Sequence, residues 1–175
     1  GMPLIMPPNR IEDGTFTFDG VTYRLDINEP THRNHIHGFM ATAPFTVAEQ
    51  SERHVKCVYE NRGERYSFRC RITITSMLDE QGFTHQVEVD NVSDADIPVT
   101  LGFHTTFVEP DTFRVPIARR WETNERHLPT GKLLELSDAE REYVSGCRPQ
   151  GIAISGYYTA AGHSADIGCF RYLAS

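Results

Sequence analysis

Alternation of apolar and polar side chains predicts long β-strands in the middle of this chain. Between residues 66 and 75, apolar side chains occupy every second position, which is typical of a strand with one buried face and one solvated face. Residues 83–90 repeat the alternation. The sequence Asp79-Glu80-Gln81-Gly82 lies between the two runs and predicts a turn, so the two strands should pair as an antiparallel hairpin.

Further strands and one short helix are predicted on either side of this hairpin. Asp19-Gly20 separates two alternating runs at Thr15–Phe18 and 21–25, which predicts a second hairpin. Additional strands are predicted at 45–49, 55–59, 99–103 and 114–116. Segment 137–144 predicts a helix, because Ser137 can cap its start and acidic residues follow in the first turn.

These elements predict an all-β fold class, an antiparallel β-sandwich. A sandwich is favoured over a closed barrel because the strand lengths and connections are uneven. The 175 residues correspond to one domain, which we predict to span residues 2–175. From Gly146 onward the chain is rich in Gly and Ala and weakly patterned. That part is expected to be a loosely held edge or a truncated continuation of the fold.

Charge and composition argue against several classes of partner. The formal net charge is −7, with 17 Lys and Arg against 24 Asp and Glu, and no basic patch stands out, so we expect no nucleic-acid partner. No apolar run approaches the ~18 residues of a membrane span, so we expect no membrane partner. Residues 1–8 lack the pattern of a signal peptide, and Gly1 before Met2 is interpreted as a residue left by tag removal.

The cysteines indicate a reducing compartment and no metal. Cys57, Cys70, Cys147 and Cys169 form no Cys-x-x-Cys pair, which argues against a zinc finger. Cys57 and Cys70 fall on the apolar faces of predicted strands, where a free thiol behaves as a small hydrophobic side chain. The localisation predicted is therefore cytoplasmic.

Three short segments carry the residues suited to chemistry: Asn9-Arg10-Ile11, His35-Ile36-His37-Gly38-Phe39 and Gly102-Phe103-His104-Thr105-Thr106-Phe107. With the hairpin around Asp19-Gly20, the Asn at position 28, a further match at 87–98 and a weaker match at 128–132, their order and spacing resemble the galactose mutarotase (aldose 1-epimerase) family. The resemblance covers residues 3–132. It implies the β-supersandwich of that family and the interconversion of the α and β anomers of a hexose.

The resemblance also implies a role for each residue. A cyclic aldose opens when a base takes the anomeric O1 proton while an acid protonates the ring oxygen, and histidine suits such a group near neutral pH. His104 would be the general acid and His37 would bind and polarise the same region. Arg10 would hold sugar hydroxyls, since its guanidinium has several fixed donors. The other predicted substrate-binding residues are Asn9, His35 and Asp166. No cofactor is implied.

Part of the family's pattern is not found in this chain. Members have a late aspartate, for which Asp166 is a loose match, and a late glutamate that acts as base at O1, for which no residue matches. The chain also begins almost at Asn9-Arg10-Ile11, so the resemblance covers the middle of a longer fold, shortened at both ends. Because such a sandwich would leave sheet edges and apolar faces uncovered, a homodimer is predicted.

Simpler interpretations exist for each residue. His104 could be a core histidine bonded to backbone, and Arg10 could be a surface arginine paired with Glu12. His35 and His37 could form a metal pair, but the sequence offers no third ligand, so no metal is predicted. The cluster Arg119, Arg120 and Arg126 would suit a phosphorylated sugar, or it could be a solvated surface. The alternative function is a non-catalytic carbohydrate-binding protein of the same fold.

Overall fold

The computed structural model describes residues 2–149, 151 and 155–174, and the chain divides into two compact units, Gly1–Thr105 and Thr106–Ser175. In the first unit, the described residues form ten strands: β1 Met2–Ile5, β2 Arg10–Glu12, β3 Thr15–Phe18, β4 Val21–Arg24, β5 Asn34–Ile36, β6 Thr46–Gln50, β7 His54–Asn61, β8 Cys70–Leu78, β9 Phe83–Asn91 and β10 Leu101–His104. Two short 3-10 turns, Pro30–His32 and Met40–Thr42, connect strands of this unit.

The described residues of the second unit form six strands and an α-helix: β11 Phe113–Arg114, β12 Ile117–Thr123, β13 Pro129–Leu134, α1 Asp138–Ser145, β14 Tyr157–Ala160, β15 Ser164–Ile167 and β16 Phe170–Leu173. Every strand pair in both units is antiparallel. The all-β, antiparallel prediction is therefore confirmed. The assignment of residues 2–175 to one domain stays a prediction.

The core of the first unit lies on one face of a four-stranded sheet in the order β6-β7-β8-β9. The predicted hairpin is present: β8 and β9 pair from Cys70↔Asn91 to Leu78↔Phe83. Asp79 Oδ1 accepts hydrogen bonds from the backbone N–H of Gln81 and Gly82, which closes the turn. The buried core cluster comprises Met6, Met40, Tyr59, Tyr66, Phe68, Cys70 and Ile72.

The sequence places the start of β8 too early. Tyr66 and Phe68 are buried as the alternation predicts, but they belong to an irregular segment, and the strand begins at Cys70. Asn61 explains the difference, because its buried Nδ2 donates to the carbonyls of Tyr66 and Phe68 at 2.6 and 2.7 Å. Its Oδ1 accepts from the Arg65 and Tyr66 N–H groups. One buried side chain thus replaces strand pairing along this segment.

The β3–β4 hairpin closes over the same core. Its register runs from Thr15↔Arg24 to Phe18↔Val21, as the Asp-Gly turn predicts. Phe16 stacks on Tyr23 at a centroid distance of 5.3 Å. Gly14, just before β3, has φ of +60°, and its Cα faces the Leu25 carbonyl so closely that an added Cβ would lie 2.4 Å from that oxygen. A glycine is therefore required where the hairpin begins.

The second unit contains more strands than the sequence predicts. β12 is the centre of a β13-β12-β14 sheet, and a second sheet has the order β11-β15-β16. The helix α1 begins as predicted: Ser137 is its N-cap, and Glu140 completes a capping box. The region beyond Gly146, predicted to be a loosely held edge, contains β14, β15 and β16.

Candidate functional site

A short two-stranded ladder in the first unit brings two of the three chemically suited segments together. β2 pairs with β5, with Arg10 opposite Ile36 and Ile11 opposite His35. Asn9 precedes Arg10 and His37 follows Ile36, so these two residues flank the end of the ladder formed by the Arg10–Ile36 pair. Because an antiparallel pair places the start of one strand beside the end of the other, Asn9-Arg10 and His37 meet although 28 positions separate Asn9 from His37.

The segment that leads into β5 is fixed by side chains rather than by a regular sheet. Asn28 acts as an extra strand partner: its Nδ2 donates to the Ile36 carbonyl at 2.9 Å, and its Oδ1 accepts from the Ile36 N–H at 2.7 Å. Glu29 and Asn34 exchange backbone hydrogen bonds at 3.0 and 3.2 Å. Arg33 adopts a left-handed conformation, with φ of 56°. These contacts hold the end of β5 in one position.

His37 is held in a defined orientation and tautomer by Asn9. Its φ of 66° ends the extended geometry of β5. The backbone N–H of His37 donates to the backbone carbonyl of Asn9 at 3.0 Å. The backbone N–H of Asn9 donates in turn to the ring atom Nδ1 of His37 at 3.2 Å. Since Nδ1 accepts a hydrogen bond, the neutral ring carries its proton on Nε2. His37 can therefore donate a hydrogen bond through Nε2.

His104 lies beside His37. It is the last residue of β10, which pairs with β1 so that His104 is opposite Met2. The two imidazole rings are 5.8 Å apart between centroids, with planes at 82°. The His104 side chain is exposed, which excludes the interpretation as a core histidine. Gly102 allows β10 to approach Pro8, since a Cβ there would lie 3.3 Å from the proline ring.

The surroundings of His37 disfavour its protonation. Burial lowers the pKa of His37 below its ordinary value of 6.5, and the neighbouring His104 and the Arg10 guanidinium lower it further. The carboxylate of Glu29 opposes these effects but does not overcome them. A neutral His37 at pH 7 is a hydrogen-bond donor through Nε2 and leaves proton transfer to a second group.

We expect the pKa of His37 in the folded protein to lie below 6.5, as measured by NMR titration of its ring protons. The resonance is assigned from its absence in the His37→Asn variant, because asparagine tolerates the left-handed backbone. The unfolded chain binds a proton at this histidine more readily than the folded protein does. His37 therefore lowers the free energy of unfolding as the pH falls from the pKa of His37 in the unfolded chain to its lower pKa in the folded protein. A midpoint at or above 6.5 would contradict the burial of this ring.

Arg10 pairs with Glu29, a residue that the sequence did not single out. Arg10 Nε donates to Glu29 Oε1 and Oε2 at 3.1 and 2.9 Å, and Nη2 donates to Oε1 at 2.7 Å. The carboxylate considered in the sequence analysis was Glu12, and the structure adds Glu29 as a partner of Arg10. The segment Asn28-Glu29-Pro30 precedes the predicted histidine segment, but nothing in its pattern indicates that Glu29 reaches β2.

His35 lies inside the first unit rather than at its surface. The side chain is fully buried, Nδ1 is 2.7 Å from the Asp26 carbonyl, and the ring packs on Phe39 at 4.7 Å. Because His37 has left the extended conformation, with φ of 66°, the rule that residues two apart share a face of a strand does not apply to His35 and His37. These contacts give His35 a role in holding the segment before β5, and its substrate-binding role stays a prediction.

Asp166 belongs to β15 in the second unit. Its carboxylate accepts hydrogen bonds from Arg114 on β11 and Arg171 on β16, with Nε distances of 3.1 Å for each. The two guanidinium groups lower the pKa of Asp166 below its usual range. The substrate-binding role of Asp166 stays a prediction.

The basic cluster of the second unit is at least partly paired with acidic residues. Arg119 Nε lies 3.3 Å from Glu135 Oε1, and Arg120 Nη1 lies 3.6 Å from the largely buried Glu140. Glu140 also accepts a hydrogen bond from Tyr158 at 2.9 Å. These pairs favour a structural role for Arg119 and Arg120 over recognition of a phosphate.

The part of the chain that the structure describes offers neither a metal-binding cluster nor a membrane-spanning helix. Within residues 2–149, 151 and 155–174, no group of three His, Cys, Asp or Glu side chains could hold a metal ion. None of the helices formed by those residues is long and apolar enough to cross a bilayer.

Comparison with known proteins assigns the chain to a family. A profile of the aldose 1-epimerase family matches residues 1–153. The uncharacterized protein YihR of Escherichia coli (strain K12) is 25% identical over 138 residues, which cover 74% of this chain and 45% of YihR.

Solved structures agree on the fold. A galactose mutarotase-like protein from Clostridium acetobutylicum has a TM-score of 0.80 and 24% identity over 97% of this chain and 55% of that chain. A GalM/aldose epimerase homologue from C. elegans has a TM-score of 0.63 and 16% identity over 83% of this chain and 48% of that one. The predicted galactose mutarotase-like fold is confirmed, and the chain spans about half the length of these relatives.

Proposed function

Because the chain belongs to the aldose 1-epimerase family, we propose that it interconverts the α and β anomers of a hexose through the His37–His104 pair. The observation that carries this proposal is the approach of the two rings to 5.8 Å. One ring is half-buried and has its tautomer fixed by Asn9, and the other is exposed. A pair of histidines in different environments is suited to divide hydrogen bonding and proton transfer between them.

In the proposed reaction, His104 protonates the ring oxygen as the C1–O5 bond breaks, and it takes that proton back when the ring closes. His37 donates a hydrogen bond through Nε2 to the same region of the sugar and orients it. Arg10 binds sugar hydroxyls. The O1 proton must pass to a base when the ring opens, and no residue of this chain is assigned to that role.

Polarimetry with α-D-galactose and α-D-glucose tests the proposal. The expected result is a mutarotation rate that rises in proportion to protein concentration above the buffer rate. Sugar binding is measured in parallel by calorimetry. Binding without acceleration would contradict the isomerase proposal and support a non-catalytic carbohydrate-binding protein, the second candidate, which the unassigned O1 base favours.

We also propose that the chain forms a homodimer in the cytoplasm. Large apolar side chains are exposed on both units, among them Phe83 at 63% and Leu173 at 70%, and such surfaces favour association. All four cysteines are free, which suits a reducing compartment. Light scattering is expected to give twice the mass of the chain, and a mass equal to one chain would contradict the dimer.

A further inference from the structure

We propose that Glu29 is a positioning and specificity residue of the candidate site: it holds the Arg10 guanidinium in one orientation and balances its charge, so that the site favours an uncharged sugar over a sugar phosphate. This inference rests on the proposed sugar-binding function of the site, which is described by Asn9, Arg10, His37 and His104. It adds a residue that touches Arg10 rather than the sugar.

The first support is the geometry of the Arg10–Glu29 pair. Three hydrogen bonds of 2.7–3.1 Å join the Nε and Nη2 edge of the guanidinium to both carboxylate oxygens. Both side chains are largely shielded, at 21% and 18% exposure. Such a fork defines the plane of the guanidinium, which a single hydrogen bond would leave rotating.

The second support is that Glu29 is itself held from behind. Asn34 Nδ2 donates to Glu29 Oε2 at 3.0 Å, and the Asn34 side chain is fully buried. The backbone N–H of each of Glu29 and Asn34 donates a hydrogen bond to the backbone carbonyl of the other. His32 Nδ1 lies 3.6 Å from Glu29 Oε1. The carboxylate is therefore a fixed template for Arg10, not a mobile surface group that follows it.

The third support is electrostatic. The hydrogen bond from Arg10, assisted by that from Asn34, lowers the pKa of Glu29 to about 2. The carboxylate is therefore ionised throughout the range in which the protein would work, and the pair carries no net charge there. His37 beside it is disposed to be neutral. A sugar hydroxyl needs only oriented donors, whereas a phosphate dianion would meet an arginine whose charge Glu29 already balances.

The chain contains a matched control pair. Arg71 on β8 and Glu60 on β7 are cross-strand partners, and Arg71 Nε and Nη2 donate to Glu60 Oε1 at 3.2 and 2.8 Å. This pair also joins an arginine fork to a glutamate in the first unit, but it involves none of the residues of the candidate site. Glu60→Gln therefore removes the same kind of interaction without changing the site.

The test compares binding of galactose and galactose 6-phosphate by calorimetry in the wild type, Glu29→Gln and Glu60→Gln. Glu29→Gln removes the negative charge and one acceptor, so galactose binding should weaken about three- to tenfold. The dissociation constant of galactose 6-phosphate, divided by that of galactose, should fall about tenfold in this variant. Glu60→Gln should leave both constants unchanged. A general structural defect would weaken both ligands and leave the ratio constant.

A second variant separates charge from position. Glu29→Asp keeps the charge but shortens the side chain, so it should weaken galactose binding while it keeps the discrimination against the phosphate. If Glu29→Gln does not fold, Glu29→Asp alone tests whether the carboxylate sets the discrimination between galactose and its phosphate. If Glu29→Gln folds and the ratio stays at its wild-type value, or if Glu29→Asp loses the discrimination, the inference is wrong.

The outcomes also distinguish this inference from the proposed function. Wild-type protein that binds galactose without accelerating mutarotation contradicts the isomerase proposal, and the ratio in Glu29→Gln still decides the role of Glu29. Accelerated mutarotation with an unchanged ratio overturns only the inference. Wild-type protein that binds neither sugar overturns both.

Discussion

His104→Asn is expected to lower the protein-dependent rate of mutarotation by about 10²- to 10⁴-fold, the usual contribution of a general acid–base residue. Asparagine keeps a hydrogen-bonding group of similar size but cannot transfer the proton to the ring oxygen. The position tolerates the change, because the His104 side chain is exposed at the end of β10. The rate is measured by polarimetry with α-D-galactose, and galactose binding should change much less than the rate.

His54→Asn is the control for this prediction. His54 begins β7 opposite Met77 of β8 and takes no part in the candidate site, so its replacement should leave the rate unchanged. Equal rates for His104→Asn and the wild type would exclude His104 as the general acid. A loss of rate accompanied by an equal loss of binding would instead make His104 a binding residue.

Gly14→Ala is expected to lower the free energy of unfolding by about 3 kcal/mol, the upper end of the usual range for a single substitution. Two effects combine at this position. The backbone has φ of +60°, which disfavours any residue with a Cβ, and the new Cβ would lie 2.4 Å from the Leu25 carbonyl oxygen. Relief requires a shift of backbone at the base of the β3–β4 hairpin. Urea unfolding of the two proteins measures the difference.

Gly20→Ala isolates the steric part of that effect. Gly20 also has a left-handed backbone, with φ of +74°, but no atom lies within 4 Å of the Cβ position. We expect a loss of about 1 kcal/mol from the backbone conformation alone. If both variants lose the same amount, the close approach of Gly14 to the Leu25 carbonyl has no energetic consequence, and the description of this hairpin is wrong.

Local patterns in the sequence predict those parts of the fold that depend on neighbouring residues. Asp79 and Gly82 indicate the β8–β9 turn, and Ser137 indicates the start of α1, because turns and caps form within a few residues. β12 is less visible, since Arg119 and Arg120 interrupt its alternation, and its pairing to β13 and β14 contains register shifts. Tyr66 and Phe68 follow the strand pattern, yet the Asn61 side chain holds them outside the ladder.

The candidate site shows the same division. Arg10, His37 and His104 are recognisable because motifs resembling those of a family surround them. Glu29 is not, because its role depends on a contact with a strand 19 positions earlier in the chain. The burial of His35 is equally hidden, since it depends on the Asp26 carbonyl and on a left-handed His37 that ends the alternation.

Exchange NMR of the galactose anomers at equilibrium tests the central claim most directly, because it detects ring opening and closing without a chemical label or a coupled enzyme. The account predicts that cross-peaks between the α and β anomeric protons grow faster in proportion to wild-type protein concentration. It also predicts that His104→Asn brings the growth back toward the buffer rate. The contradicting result would be cross-peaks that grow at the same rate as in buffer when the galactose concentration saturates the protein. That result would exclude the claim that the His37–His104 pair opens the sugar ring.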